Sequence, residues 1–325
     1  MTLSNPQDSE VLLKVEDLNK VYPIKKNERV KAVNQFNIEL LKGEVYGLVG
    51  ESGCGKTTTG KTLLRLIEPT GGKCFYKGTD IFSLKTREMQ KLRKEIQMVF
   101  QDPYSSLNPK KRIGKIIEEP MNIHSIGKKQ ERMEKVVNLL EQVGLSKEHY
   151  YRFPHEFSGG QRQRIGLARA LAVEPELIIF DEPVSALDVS VQSQILNLLR
   201  KIQKENNLSL TYLFISHDLS VVRHIADRIG VMYLGHLVEE ADVDKLFTDP
   251  KHPYTKALLS SIPIPKVNHK RERIRLRGEI PSPINPPAGC VFHTRCPYVM
   301  DECKTIDPEE INTKNNHKVK CHLYN

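Results

Sequence analysis

Apolar residues come in short, dense runs early in the chain and at helical intervals in its middle. Between residues 11 and 49 the runs "VLLKV" and "VYGLVG" are brief, β-branched and separated by charged or glycine-containing turns, which is the pattern of strands feeding a sheet. The second run ends in a glycine loop. From about Ile113 to Leu145 the spacing changes. In "QERMEKVVNLLEQVGL" Met133, Val136, Val137, Leu140 and Val143 recur on one helical face and Gly144 stands where a C-cap belongs, so a helical insertion is expected, spanning about residues 102–168. After Ser158 helix and strand alternate again. The continuous apolar runs "ELIIF" and "TYLFIS" predict strands buried on both faces, and hence a parallel sheet covered by helices. At Pro250 the pattern breaks: ten of the 19 prolines lie from there on, predicting a loop-dominated tail with one helix around Tyr254 to Ser261. The reading is an α/β core over residues 1–250 with a helical subdomain, followed by a Pro/Cys-rich C-terminal appendage over 251–325. No internal repeat occurs.

Composition narrows the function classes. At 325 residues with 39% hydrophobic content, the chain can bury one large core or two smaller ones. No stretch approaches the about 18 apolar residues needed to cross a bilayer. The start, "MTLSNPQDSEVLLKVEDL", lacks the basic residues and long apolar run of a secretory signal, so the expectation is a cytoplasmic chain that reaches a membrane only through a partner. The net charge is +9, and from Lys251 onward 13 Lys/Arg face 7 Asp/Glu, a surplus of six. Those cations are scattered singly among prolines without interleaved aromatic residues, which fits a solvated surface and not a nucleic-acid groove.

The chemistry begins at "GLVGESGCGKTT", a strand, then Gly50-x4-Gly55-Lys56-Thr57, then a helix. Glycines at 50, 53 and 55, with Ser52 and Thr58 on the same turn, let successive backbone N–H groups close around a phosphate. Lys56 reaches the β- and γ-phosphates and the Thr57 hydroxyl ligates Mg²⁺. A tight turn alone would also explain the glycines. The downstream "LIIFDEP" adds what nucleotide hydrolysis needs: Asp181 at a buried strand end to hold the Mg²⁺ shell, and Glu182 beside it as a candidate base for water. "FSGGQRQRIGLARAL" opens a long helix with Ser158, Gly159, Gly160 and Gln161, a second anion-seeking N-terminus with no phosphate of its own.

Gly50 to Thr57, "VFQDP" with Gln101, "FSGGQ", "FDEP", "SALD" and "FISHDL" with His217 together resemble, in order and spacing over roughly residues 10–245, the nucleotide-binding subunit of an ABC transporter, a P-loop NTPase. The resemblance implies two subunits facing head to tail, the Ser158–Gly160 helix end of one completing the γ-phosphate site over Lys56 of the other. It further implies that Gln101 touches Mg²⁺ and senses the γ-phosphate, Glu182 polarises the attacking water and His217 holds water and phosphate in line. Asp188 would couple the two sites, and Tyr22 of "LNKVYPI" would stack on adenine. Outside that frame Tyr22 reads as packing, Gln101 as a solvent-facing amide and His217 as a loop histidine. Val184 stands where the family more often has Thr, at a position that does no chemistry.

The remaining motifs, "QDPYSSLNP" at 101–109, "HPYTKALLSSIP" at 252–263 and "GEIPSPINPPAGCVFHTRCP" at 278–297, resemble the ATP-binding subunits of dipeptide and oligopeptide importers, a group with relatives for nickel and other small solutes. The resemblance implies an ATPase on the cytoplasmic face of the membrane. Its partners would be a second, unlike ATPase subunit, two transmembrane permeases and, indirectly, an extracellular solute-binding protein. The rival reading is a soluble ATPase acting on ribosomes or nucleic acid. Only the basic tail supports it, and such proteins usually carry two linked copies of motifs that occur here once.

Six cysteines complete the inventory. Cys54 in the loop and Cys74 in an expected strand read as small packed residues. The spacing Cys290-x5-Cys296-x6-Cys303-x17-Cys321 lacks the C-x2-C pairs usual in structural zinc sites, and a reducing cytoplasm argues against disulfides. Three states stay open: a [4Fe–4S] cluster on the four thiolates, which relatives bearing this tail imply; zinc, with His293, His317 or His322 able to replace one cysteine; or unligated or disulfide-bonded thiols. A cluster would staple a tail too small to own a core. The phosphate site is expected to be independent of it.

Overall fold

The alternation of "VLLKV" runs further than the sequence suggests. The computed structural model describes residues 10–25, 28–102, 104, 106–205, 210–262, 274–276, 278–313 and 316–325, and β1 (Val11–Lys25) is one strand of 15 residues. It survives a bend: Asp17 has φ +47°, the register shifts between Glu16 and Asn19, and Asn37 Oδ1 accepts the Asp17 N–H at 2.8 Å, so the irregular backbone stays bonded. There follow β2 (Glu28–Leu41), β3 (Val45–Val49), α1 (Lys56–Leu63), β4 (Gly71–Tyr76), β5 (Thr79–Asp80), α2 (Thr86–Leu92), β6 (Ile96–Val99) and α3 (Ile113–Ile123). Next come α4 (Lys129–Gln142), α5 (Gly159–Leu171), β7 (Leu177–Asp181), α6 (Val189–Glu205), β8 (Thr211–Ser216), α7 (Leu219–Arg223) and β9 (Arg228–Tyr233). The chain closes with β10 (His236–Asp242), α8 (Val243–Thr248), α9 (Pro253–Ser260), β11 (Glu310–Thr313) and β12 (His317–Lys320). The described residues form two compact units. One holds Ser83–Ile215 with Leu41–Glu44 and Glu10; the other holds Val11–Leu40, Val45–Phe82 and the described part of Ser216–Asn325.

In the unit built on 83–215, β6, β7 and β8 pair in parallel, and every residue of β7 and β8 is buried. Such strands need apolar side chains on both faces, which is what "ELIIF" and "TYLFIS" supply. The helical insertion packs α3, α4 and α5 on one another. Ile113, Ile116, Ile117 and Met121 of α3 are buried with Val136, Leu139 and Leu140 of α4. Leu139 joins the face that the sequence periodicity assigned to Met133 and Val137, both only half-buried. Gly144 ends α4 with φ +74°, a backbone state that glycine adopts freely, and Arg164 Nη1 donates to the Val143 carbonyl at 3.0 Å to cover the helix end.

The other unit holds two sets of strands. β2, β1, β4 and β5 form a four-stranded sheet in that order. β3 pairs in parallel with β9, and β9, β10, β12 and β11 continue antiparallel. The appendage therefore ends as strands of a core sheet. A buried carboxylate pins it: Glu239, 1% exposed, accepts the N–H groups of Lys251 at 2.6 Å and His252 at 2.9 Å and pairs with His317 Nε2 at 2.7 Å. The helix expected around Tyr254 to Ser261 is α9, capped by His252 Nδ1, which accepts the Tyr254 N–H at 3.1 Å.

Candidate functional site

The glycine loop of the second unit connects β3 to α1. Gly53 and Gly55 have φ of +81° and +110°. A Cβ on Gly50 would lie 2.2 Å from the Met232 carbonyl oxygen, and one on Gly55 2.1 Å from that of Ala32. These positions thus demand glycine for backbone reasons. Lys56 is 4% exposed, and its ammonium donates to the carbonyls of Gly50 at 2.8 Å and Glu51 at 3.0 Å. Ser52 is exposed and Thr57 and Thr58 are half-buried at the start of α1. Cys54 is buried, and burial raises its thiol pKa against the opposing pull of Lys56. Tyr22, on β1, is half-buried with Lys20 Nζ 4.7 Å above its ring. His217 is exposed, just after β8.

The other unit carries the acids. Asp181 is 2% exposed at the end of β7, and Glu182 follows with φ +48°, a costly backbone for a non-glycine residue. The Glu182 N–H donates to the Ile215 carbonyl at 3.0 Å, so β8 holds the turn. Its carboxylate accepts a hydrogen bond from Gln101 Nε2 at 3.1 Å, joining residues 81 positions apart. Ser158 caps α5 reciprocally with Gln161: Ser158 Oγ accepts the Gln161 N–H at 3.3 Å and Gln161 Oε1 accepts the Ser158 N–H at 3.0 Å. Gly159 is half-buried, and a Cβ on Gly160 would lie 2.5 Å from Val191 Cγ1. Asp188 is exposed, and its carbonyl accepts the Gln192 N–H at 2.9 Å. Pro103 and Ser105 of "QDPYSSLNP" and Pro263 of "HPYTKALLSSIP" lie outside the described residues.

All six thiols are free. Cys290, Cys303 and Cys321 are buried and Cys296 is half-buried. Burial pushes Cys290 up to about 12, with the other three tail thiols adding to the rise; Cys296 and Cys321 are raised by burial as well. Each of these three sulfurs also receives a backbone N–H from two residues on, from Phe292, Tyr298 and Leu323, the Tyr298 bond being 3.4 Å. Among the described residues no group of three or more His, Cys, Asp or Glu is arranged to hold a metal ion. The histidines offered as substitutes are engaged elsewhere: His293 Nδ1 with the Cys290 carbonyl, His317 with Glu239, and His322 Nε2 with the Ile306 carbonyl at 2.9 Å.

Sequence reasoning missed three residues that the structure puts at the phosphate loop: Glu51 itself, Tyr254 and Arg295. Tyr254 Oη accepts the Glu51 N–H at 2.9 Å, and the Arg295 guanidinium grips the Glu51 carboxylate. The loop and the tail are thus joined directly, contrary to the independence expected of them. A buried tyrosine and a lone arginine, 203 and 244 positions away, give no local signal.

The chain is similar to known proteins along its length. Residues 33–185 match the family described as ABC transporter, and residues 238–303 match the oligopeptide/dipeptide transporter, C-terminal region. The chain is 55% identical over 333 residues to the oligopeptide transport ATP-binding protein AppF of Bacillus subtilis (strain 168), covering 100% of both. It is 50% identical over 303 residues to the dipeptide transport ATP-binding protein DppF of Escherichia coli (strain K12), covering 92% of this chain and 90% of that one. A solved dimer of the ATP-binding cassette MJ0796 in a post-hydrolysis state bound to ADP and Pi superposes with a TM-score of 0.65 at 29% identity, covering 71% of this chain and 98% of that one.

Proposed function

Because the chain belongs to the ABC transporter ATP-binding proteins of the oligopeptide and dipeptide group, we propose that it hydrolyses ATP to energise the import of dipeptides or oligopeptides through a pair of membrane permeases. It works peripherally on the cytoplasmic face; among the described residues no helix is long and apolar enough to cross a membrane. Its partner in a head-to-tail dimer is a second, unlike ATPase subunit, and an extracellular binding protein delivers the solute. The names of the relatives favour peptides over nickel or another small solute, and one copy of each motif speaks against a soluble, non-transport ATPase.

The observation that carries the reading is the Gln101–Glu182 hydrogen bond, which holds a carboxylate at the end of a buried parallel strand. Glu182 takes the role of general base, and the strained turn fixes where its carboxylate points. Lys56 leaves the carbonyls of its own loop for the β- and γ-phosphates, with the N–H groups of Gly53 and Gly55 and the Ser52 and Thr58 side chains around them. His217 orients water and phosphate, Tyr22 stacks on the adenine, and Asp188 couples the two sites of the dimer. The Ser158–Gln161 end of α5, held by its reciprocal cap, closes on the partner subunit's nucleotide. By the family resemblance, Asp181, Gln101 and the Thr57 hydroxyl would be the oxygen donors that hold Mg²⁺, which would neutralise phosphate charge. A carboxylate as buried as that of Asp181 suits a hard cation. Glu182→Gln should bind ATP normally, accumulate as an ATP-dependent dimer and lose about 10²- to 10⁴-fold in turnover. Turnover close to wild type overturns the assignment.

We also propose that Cys290, Cys296, Cys303 and Cys321 hold a [4Fe–4S] cluster as a structural staple, with zinc the alternative. Two observations support this: three of the sulfurs are buried, and three receive the backbone N–H bonds that favour a thiolate. Protein prepared without oxygen should be brown, with about four irons and four sulfides per chain. Zinc in their place moves the reading to zinc, and neither metal defeats both.

A further inference from the structure

Glu51, the second residue of the phosphate loop, is held from three directions. Its carbonyl accepts Lys56 Nζ at 3.0 Å, its N–H donates to the Tyr254 hydroxyl at 2.9 Å, and its carboxylate takes two bonds from Arg295, Nη1 to Oε2 at 2.7 Å and Nη2 to Oε1 at 3.2 Å. The side chains of Arg295 and Glu51 are 8% and 25% exposed, so solvent screens this bidentate pair far less than a surface one. Arg295 sits between Cys290 and Cys296, on the part of the tail that buries Phe292 against Tyr233 and Tyr254, with ring centroids 5.2 Å and 5.4 Å apart. Its guanidinium carbon lies 5.9 Å from the centre of the Tyr233 ring.

The charge of Glu51 is out of place by itself. A carboxylate on the second residue of a loop whose N–H groups receive a triphosphate repels that triphosphate unless a cation cancels it. Arg295 supplies the cation in a geometry that also fixes the side chain, while Tyr254 fixes the backbone on the same residue. Both come from beyond residue 250, so the tail holds the entrance of the loop.

We infer that Arg295 is a positioning residue of the nucleotide site: acting through Glu51, it neutralises and orients the first turn of the phosphate loop, which makes the ordered tail a working part of the ATP site. The inference rests on the reading of Gly50–Thr57 as the cradle for ATP phosphates.

The test is ATP and ADP affinity of the full-length chain, measured by titration calorimetry with Mg²⁺ at low and high salt. Arg295→Gln should weaken ATP binding about tenfold, the loss of one charge-assisted pair, and more at low salt than at high. Glu51→Gln alone should change it less than about threefold. The double variant Glu51→Gln/Arg295→Gln should recover most of the loss, because the unpaired carboxylate has gone with its partner. Lys56→Ala serves as the control for the loop. If Lys56→Ala loses ATP while Arg295→Gln binds like wild type, the inference falls and the reading of the loop stands. Undiminished binding by Lys56→Ala overturns that reading and the inference with it. Should Arg295→Gln lower the thermal midpoint, the double variant still decides: one as weak for ATP as the single variant makes Arg295 a structural anchor only and overturns the proposal.

Discussion

The phosphate loop and the C-terminal tail belong to one unit, yet they are specified in opposite ways. The loop is local. Two positive-φ glycines and a lysine bonded to carbonyls five and six residues away mark its shape in a short string of residues, and Gly50 and Gly55 then fit closely against the Met232 and Ala32 carbonyls. The tail between residues 278 and 305 holds no strand and no α-helix among the described residues. Its place is set by long-range pairs: Arg295 with Glu51, Phe292 with Tyr233 and Tyr254, and Cys290 N–H with the Cys303 carbonyl at 2.9 Å. A backbone-encoded feature announces itself in a short string of residues. A feature encoded by side chains meeting across the fold does not, although it can matter as much to the same ligand.

Lys56→Ala draws the contrast most strongly. It should lower ATP affinity by about 100-fold or more, since it removes a charge-assisted contact to phosphate, while leaving the unfolding midpoint close to wild type. A variant that unfolds instead of losing ATP would mean that the lysine serves the loop's structure and not the nucleotide. Phe292→Ala should do the reverse. Phe292 is 1% exposed at the centre of the tail's ring cluster, and truncation should cost about 3–5 kcal/mol of stability, seen as a fall in the denaturant midpoint. If the tail holds the loop entrance, ATP affinity of the remaining folded protein drops as well; unchanged affinity would separate the two regions again.

The smallest effect is acid sensitivity. His236 and His252 are pushed down to about 4, in both cases chiefly by burial; Lys320 and Lys31 add to the shift at His236, and Glu239 opposes it at His252. In the folded state both stay neutral, while the unfolded chain takes up protons below about pH 6.5. Their contribution to stability is therefore complete above pH 6.5 and lost as pH falls toward 4, a few kcal/mol in total by order of magnitude. Denaturation midpoints at pH 7, 5.5 and 4.5 check this, and stability that holds or rises across that window would contradict it. The loop itself, Gly50 to Thr58, has no histidine, so the acid loss marks the tail and its supports.

Much of this was legible in the sequence, for reasons that differ by residue. "ELIIF" and "TYLFIS" had to be doubly buried parallel strands because nothing polar interrupts them, and they are β7 and β8. Gly144 is readable as a C-cap because few residue types adopt that backbone freely, and it ends α4; Ser158 is readable as the opening of a long helix, and it caps α5. On the helical face of 133–143, Val136, Leu140 and Val143 are buried as the spacing predicts, and Leu139 is buried where Met133 and Val137 are only half-buried. β1 was underestimated because its bend at Asp17 breaks the alternation while the hydrogen bonding continues. Gln101 and His217 become candidates only through the family frame, for a single amide or imidazole carries no pattern. Glu51, Tyr254 and Arg295 were missed because an ion pair spanning 244 positions leaves no periodicity to read.

The central claim is that this chain turns over ATP as one half of a membrane-bound engine for peptide import. The measurement that tests it most directly is ATP hydrolysis by the purified chain alone and after reconstitution with its ATPase partner and permeases in vesicles, with and without peptide-loaded binding protein. The account predicts slow hydrolysis alone and a rise on assembly that grows further with peptide, because the role proposed for Ser158 to Gly160 is played only across a dimer interface. Full, peptide-independent hydrolysis by a strict monomer would contradict it.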